Sequence, residues 1–226
     1  MIATRIYNAI QQRRYPNRKI FFIGFNKTAT TSLHRWLVRS GIHSVHYSEN
    51  GRHDGANLAK EIEVRIGDMH ALRSYLSRWT AFSDLCYVTE NCLIEANRHY
   101  ALFHRAFPDA YFVLNDRDTD AWITSRIAHG SGSQIRRAMA YYKANEDEVI
   151  AMWRLQKERH TNEVLKYFDG YARFLWFRID RDSAWKLAQF LSPTFLLNPK
   201  RLQRRNVSAR RVSGKPGDQK IRLSNR

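Results

Sequence analysis

Residues 20–25, IFFIGF, form a short bulky apolar run that ends in a polar loop, the pattern of a strand buried on both faces of a parallel sheet. In SLHRWLVRSG, just beyond, Leu33, Trp36 and Leu37 fall at helical spacing and Gly41 follows as a stop signal, so residues 20–37 read as strand, loop and helix. The alternation continues. Strands are predicted at residues 42–47, 81–85, 111–115 and 172–179, and helices at 58–79, 95–107, 119–128, about thirty residues up to 168, and 182–191. Polar stretches at 48–57 and 129–134 separate them, and no internal repeat is evident. Strands alternating with helices predict an α/β fold of three layers around a central, mostly parallel sheet of about five strands, with ligands gathering at the carboxyl ends of the strands.

Composition bounds the picture without changing it. A hydrophobic fraction of 43% with 13% aromatic residues is that of a folded chain. Cys86 and Cys92 are spaced neither as a metal pair nor as a redox pair, so they read as buried or idle thiols and no metal is expected. Neither a secretory leader nor an apolar run long enough to span a membrane is visible, and with so few cysteines a cytoplasmic location is expected. Charge does change the picture. The net charge is +17, and residues 200–226 hold ten Lys and Arg against the single acid Asp218. The expected division is therefore an α/β domain over residues 1–199 and a basic, irregular or partly disordered extension over 200–226.

The loop after the first strand carries the clearest chemistry. GFNKTATTSL delivers Asn26, Lys27, Thr28, Ala29, Thr30, Thr31 and Ser32 to the start of a helix, where unpaired N–H groups and the helix dipole favour an anion. Lys27 adds a point charge and the hydroxyls add donors to phosphate oxygens. The competing reading is a helix cap beside a solvated lysine. The nucleotide-triphosphatase pattern needs a Gly immediately before its Lys and a Ser or Thr immediately after; no Gly precedes Lys27, which argues against an ordinary ATPase or kinase. A second strand-to-helix junction, YFVLNDRDTDAWITSR, puts Arg117 at a strand end and Ser125 eight residues on. Arg117 can there either serve an anion or pair with Asp116, Asp118 or Asp120, and Trp122 reads as core.

Taken together, the two junctions resemble the family of sulfotransferases that use 3′-phosphoadenosine-5′-phosphosulfate (PAPS), in its bacterial-type domain, over residues 19–191. Lys27-Thr28-Ala29-Thr30-Thr31 is similar to the family's 5′-phosphosulfate loop, which usually has Gly where Ala29 stands, and Arg117 with Ser125 resembles its 3′-phosphate site. A methyl group at residue 29 disfavours a left-handed backbone there. The resemblance implies a P-loop-like first unit and transfer of a sulfuryl group from PAPS to a hydroxyl acceptor, such as a carbohydrate or lipid-linked saccharide, with no metal. It also implies that Lys27 helps the 3′-phosphoadenosine-5′-phosphate product leave. Such enzymes place a base at a strand end; Asp84 is the first candidate, with Glu49 and His46 as alternatives, and His129 and Glu90 are candidates on the acceptor side. Arg204, Arg205, Arg210, Arg211 and Lys215 in the tail offer either a 3′-phosphate clamp or contact with an anionic polymer. The alternative to an enzyme is a non-catalytic or nucleic-acid-associated protein on the same scaffold.

Overall fold

A computed structural model of the chain describes residues 2–50 and 55–202. The elements run α1 (Ile2–Arg14), β1 (Ile20–Phe22), α2 (Thr30–Arg39), β2 (Ser44–His46), α3 (Leu58–Glu63), α4 (Met69–Ser77), β3 (Ala81–Ser83), β4 (Cys86–Val88), β5 (Leu93–Glu95), α5 (Tyr100–Ala106), β6 (Tyr111–Asp116), α6 (Thr119–Ile127), α7 (Ser133–Tyr142), α8 (Glu146–Tyr167), β7 (Phe174–Arg178) and α9 (Ala184–Leu191). Five strands form one sheet in the order β2-β3-β1-β6-β7, and every pairing in it is parallel. The three-layer α/β reading holds. Because all five strands run parallel, the loops after β1, β3 and β6 share the carboxyl edge, where ligands collect in open α/β sheets.

Period-two alternation along β1 sorts the two faces. Phe21 and Ile23 enter a core with Val45, Phe82, Phe112 and residues of α3, α4, α5 and α8, whereas Ile20 and Phe22 face α2, α9, Phe195 and Leu197. Phe21 is the hinge pin of the first core: its ring stacks on Phe82, Phe103 and Phe112 at centroid separations of 4.7, 4.9 and 5.4 Å. A third apolar cluster joins Phe25, Trp122, Ile135, Val149 and Trp153 beneath the loop that follows β1.

Four features differ from the periodic reading. α1 was not predicted, because the side it turns to the body is polar: Asn8 is fully buried and its side chain bonds the backbone of Ser40 and Leu196. The helix expected at 58–79 is two helices, broken at Gly67 and restarted by the Asp68 cap, which accepts from His70 and Ala71 N–H. The long helix before Phe168 is also two, with Lys143 left-handed and a reciprocal Asn145–Glu148 capping box opening α8. Finally, residues expected to begin a helix at 95 instead end the β4–β5 hairpin. The tail residues Arg204, Arg205, Arg210, Arg211 and Lys215 lie outside the described residues, and Pro199–Arg201 form a short 3-10 turn.

Truncating Phe21 to Ala removes three ring contacts at once. It is expected to cost about 3–5 kcal/mol, read as a lower urea midpoint with an unchanged denaturant slope.

Candidate functional site

The loop from Gly24 to Ser32 is fastened from the β6 side before any ligand is considered. Asn115 on β6, 1% exposed, accepts the Gly24 N–H on Oδ1 at 2.9 Å and donates from Nδ2 to Thr28 Oγ1 at 2.6 Å. Thr28 in turn donates its hydroxyl to the Phe25 carbonyl at 2.5 Å. Only Gly fits at position 24, because a Cβ there would stand 1.9 Å from the Asn115 carbonyl oxygen. Asn26 is tied down from α6: its carbonyl accepts from Trp122 Nε1 at 2.9 Å, and its Oδ1 accepts from Arg126 Nε at 3.0 Å. Arg126 is itself 1% exposed, paired with Glu95 at 2.8 Å and layered against Trp122 and Trp153. Thr28 and Asn26 therefore point inward and shape the loop.

The outward-facing members are different ones. Lys27 and Ala29 have φ of 67° and 64°, left-handed values on either side of Thr28, and such alternation turns neighbouring N–H groups toward one concavity. Ala29 adopts this conformation despite its methyl group and serves as the N-cap of α2 without a side-chain cap. Tyr47 and Asp84, at the ends of β2 and β3, are also left-handed, with φ of 63° and 58°. Among the described residues, four of the six non-Gly left-handed residues thus sit around this one edge, the kind of concentrated strain that persists where geometry serves a site.

On the β2–β3 side, His46 Nε2 lies 3.3 Å from Asp84 Oδ2 and 3.4 Å from the hydroxyls of both Thr30 and Thr31. The His34 ring packs at 5.3 Å beside His46. Burial, then the charges of His46 and Arg35, hold His34 down to about 4, so it is neutral at neutral pH. Across the mouth, Lys27 Nζ is 3.1 Å from His129 Nδ1. An ammonium only donates, so Nδ1 accepts and the ring proton is on Nε2. Burial lowers the pKa of Lys27; the charge of Asp84 opposes this and that of Arg117 adds to it. His129 is lowered as well, by burial first and by Lys27 second.

Arg117 follows β6, and among the described residues its guanidinium forms no ion pair. The three acids around it are engaged elsewhere: Asp116 with Lys157 at 2.8 Å, Asp120 with Arg154 at 2.6 Å, and Asp118 as the α6 cap on Ala121 N–H. Ser125 is buried on α6, the helix that Arg117 leads into. Glu49 is engaged by Arg78, which holds its carboxylate through two bonds of 2.9 and 2.8 Å and lowers its pKa. Glu90 is exposed at the hairpin turn. A groove of about 450 Å³ on the α8 side, lined by Asp116, Lys157, Asn162 and Trp176, contains no residue of the anion loop. Among the described residues no cluster of His, Cys, Asp and Glu is arranged to hold a metal ion.

A family model for the sulfotransferase domain matches residues 19–161, well over half of the chain. The chain belongs to the sulfotransferase-domain family. That match covers β1, the anion loop, β3 with Asp84, and the β6–α6 junction with Arg117 and Ser125. A search of the curated proteins finds no match. Within this sulfotransferase-domain chain, sequence reasoning named Lys27 and Asp84 but left His129 at the margin and passed over Arg126 and Glu95. A fixed distance in sequence signals none of these three, since their partners are 102, 100 and 31 residues away.

Replacing Ala29 by Gly relieves a left-handed alanine, a gain of about 1 kcal/mol, and is expected to raise Tm by about 2–4 °C in differential scanning calorimetry. An unchanged or lower Tm would show that the loop relaxes around the methyl.

Proposed function

We propose that this chain transfers a sulfuryl group from PAPS to a hydroxyl acceptor. The observation that carries this reading is Lys27 in the loop at the carboxyl edge, its ammonium against His129, in a loop that Asn115 fixes through Gly24 and Thr28. In the reaction, the acceptor oxygen forms a bond to sulfur as the bond from sulfur to the bridging phosphate oxygen breaks, and the acceptor proton passes to a base. Lys27 is assigned to the negative charge that develops on the leaving 5′-phosphate, together with N–H groups at the start of α2. Arg117 and Ser125 are assigned to the 3′-phosphate.

Asp84 and His46 are assigned jointly to the proton. Their contact at 3.3 Å lets the carboxylate orient the ring or share the proton with it, and His46 lies beside the loop hydroxyls. Glu49 is the weaker candidate, because its Arg78 partner stabilises the carboxylate against protonation. His129 supports Lys27: a neutral acceptor beside the ammonium fixes its direction without cancelling its charge. The acceptor is taken to be a carbohydrate or lipid-linked saccharide. A nucleic-acid-associated protein is the second reading, favoured by the basic sequence from residue 200 onward.

Calorimetry separates the two. The bisphosphate 3′-phosphoadenosine-5′-phosphate is expected to bind more tightly than ADP, and Arg117→Ala is expected to weaken the bisphosphate by about tenfold to a hundredfold while leaving ADP unchanged. Equal affinity for both nucleotides, with tight and steeply salt-sensitive binding of a short RNA, would favour the second reading.

Lys27 also predicts a pH signature. Its pKa is below the ordinary 10.5 in the free protein, and a bound phosphate raises it again, so binding at alkaline pH takes up a proton and affinity falls as pH rises through the lowered value. Binding enthalpies measured in buffers of different ionisation heat are expected to show that uptake, and Lys27→Ala to abolish it.

A further inference from the structure

The first helix is folded against the body by the wrong side for an ordinary amphipathic helix. Its polar residues are the anchors. Asn8 bonds Ser40 and Leu196, Gln12 donates to the Gly41 carbonyl at 2.9 Å and accepts from the His43 N–H and the Thr80 hydroxyl at 2.8 Å each, and Tyr7 donates to the Pro193 carbonyl at 2.7 Å. Its apolar residues look outward. Ile2, Ile6 and Ile10 are 76%, 54% and 56% exposed, and their spacing of four places them in one stripe along the helix. Single exposed apolar residues need no explanation, but a stripe of three isoleucines on a helix held in place by buried polar bonds does.

The charges around the stripe identify its counterpart. Arg5, Arg13 and Arg14 are exposed on the same helix; at about 100° per residue, Arg13 falls within the isoleucine arc and Arg5 and Arg14 flank it. No acid occurs in the sequence before Glu49, against eight Lys and Arg. Exposed Val38, Arg35 and Arg39 belong to α2, whose end meets α1 at Gly41 and Arg5. Trp36, on the buried side of that helix, donates to the Asn198 carbonyl at 2.8 Å, so the chain lies against α2 two residues before Lys200, where the basic sequence begins. A second copy of the same stripe would bring arginines against arginines. An apolar ridge bordered by arginines fits the boundary between acyl chains and anionic headgroups.

We propose that α1 is an interfacial helix that seats the protein on an anionic lipid surface, with Ile2, Ile6 and Ile10 entering the acyl boundary and the arginines meeting the headgroups. This is independent of the sulfuryl-transfer reading, since it is read by partitioning and not by turnover. The test is cosedimentation of the full chain with vesicles of phosphatidylcholine alone or mixed with phosphatidylglycerol. Ile2→Gln/Ile6→Gln/Ile10→Gln is the stripe variant, and Arg13→Gln/Arg14→Gln the charge variant. The three isoleucines belong to none of the buried clusters, so the stripe variant is expected to keep the parent Tm. Binding is expected only with the anionic vesicles, about tenfold or more weaker in the stripe variant, and weaker and less salt-sensitive in the charge variant. Absence of binding to anionic vesicles, or equal binding by the stripe variant, overturns the proposal. So does a dimer in sedimentation velocity that the stripe variant converts to monomer without any vesicle binding, because a second copy would then be the occupant.

Discussion

The side chain of Asn115 is the constraint on which the candidate site depends. It is the last residue but one of β6, and from there it satisfies the Gly24 amide and the Thr28 hydroxyl at once, across 91 and 87 residues of sequence. A buried amide with both ends engaged fixes the approach of two backbones more tightly than apolar packing does, since losing either bond leaves a buried polar group unsatisfied. Gly24 follows from this. The strand must come close enough for the bond, and at that separation no side chain fits. With its β6 side fixed by Asn115 and its α6 side by Arg126 and Trp122, the loop has one free direction, toward the ends of β2 and β3. Thr30 and Thr31 face that way, toward His46, while Lys27 reaches across the mouth to His129.

How much of this was legible in the sequence depended on whether the signal was local. Buried parallel strands announce themselves as continuous apolar runs, and 20–25 and 111–115 were readable for that reason; the half-exposed edge strand at 172–179 was readable because its residues are just as bulky and apolar. α1 was not, because periodicity analysis assumes that the apolar side faces the core, and here it faces outward. The β4–β5 hairpin escaped because two three-residue strands carry no period long enough to count. The break before α8 was in principle visible, since Asn145 and Glu148 have capping-box spacing, but the apolar positions continue across it and mask it.

Within the candidate site the residue types were legible and their directions were not. The motif at Lys27 has the residue types expected of an anion loop, yet nothing in the letters says that Thr28 turns inward to Asn115 while Thr30 and Thr31 turn toward His46. Glu49 and Asp84 look alike as acids at strand ends; only the fold puts Arg78 on the one and His46 on the other. Ala29 shows the limit of reasoning from propensity. The methyl argues against a left-handed backbone, but the bonds around the loop outweigh a preference of about 1 kcal/mol.

The same logic extends to charge. A chain with Asp116, Asp118 and Asp120 surrounding Arg117 looks self-neutralising when read as a string. In the fold, Lys157 and Trp176 hold the two oxygens of Asp116 at 2.8 and 3.1 Å, and Arg154 takes Asp120. Lys157 is 7% exposed, so its pair with Asp116 is not the weak, screened kind found on surfaces. Committing these acids to α8 keeps positive potential at Arg117, and Arg117 in turn adds to the lowering of the Lys27 pKa. Two cations that disfavour each other across an edge form an arrangement that an anion with two separated charges relieves better than one with a single charge. That difference is the physical argument behind the bisphosphate in the proposed function.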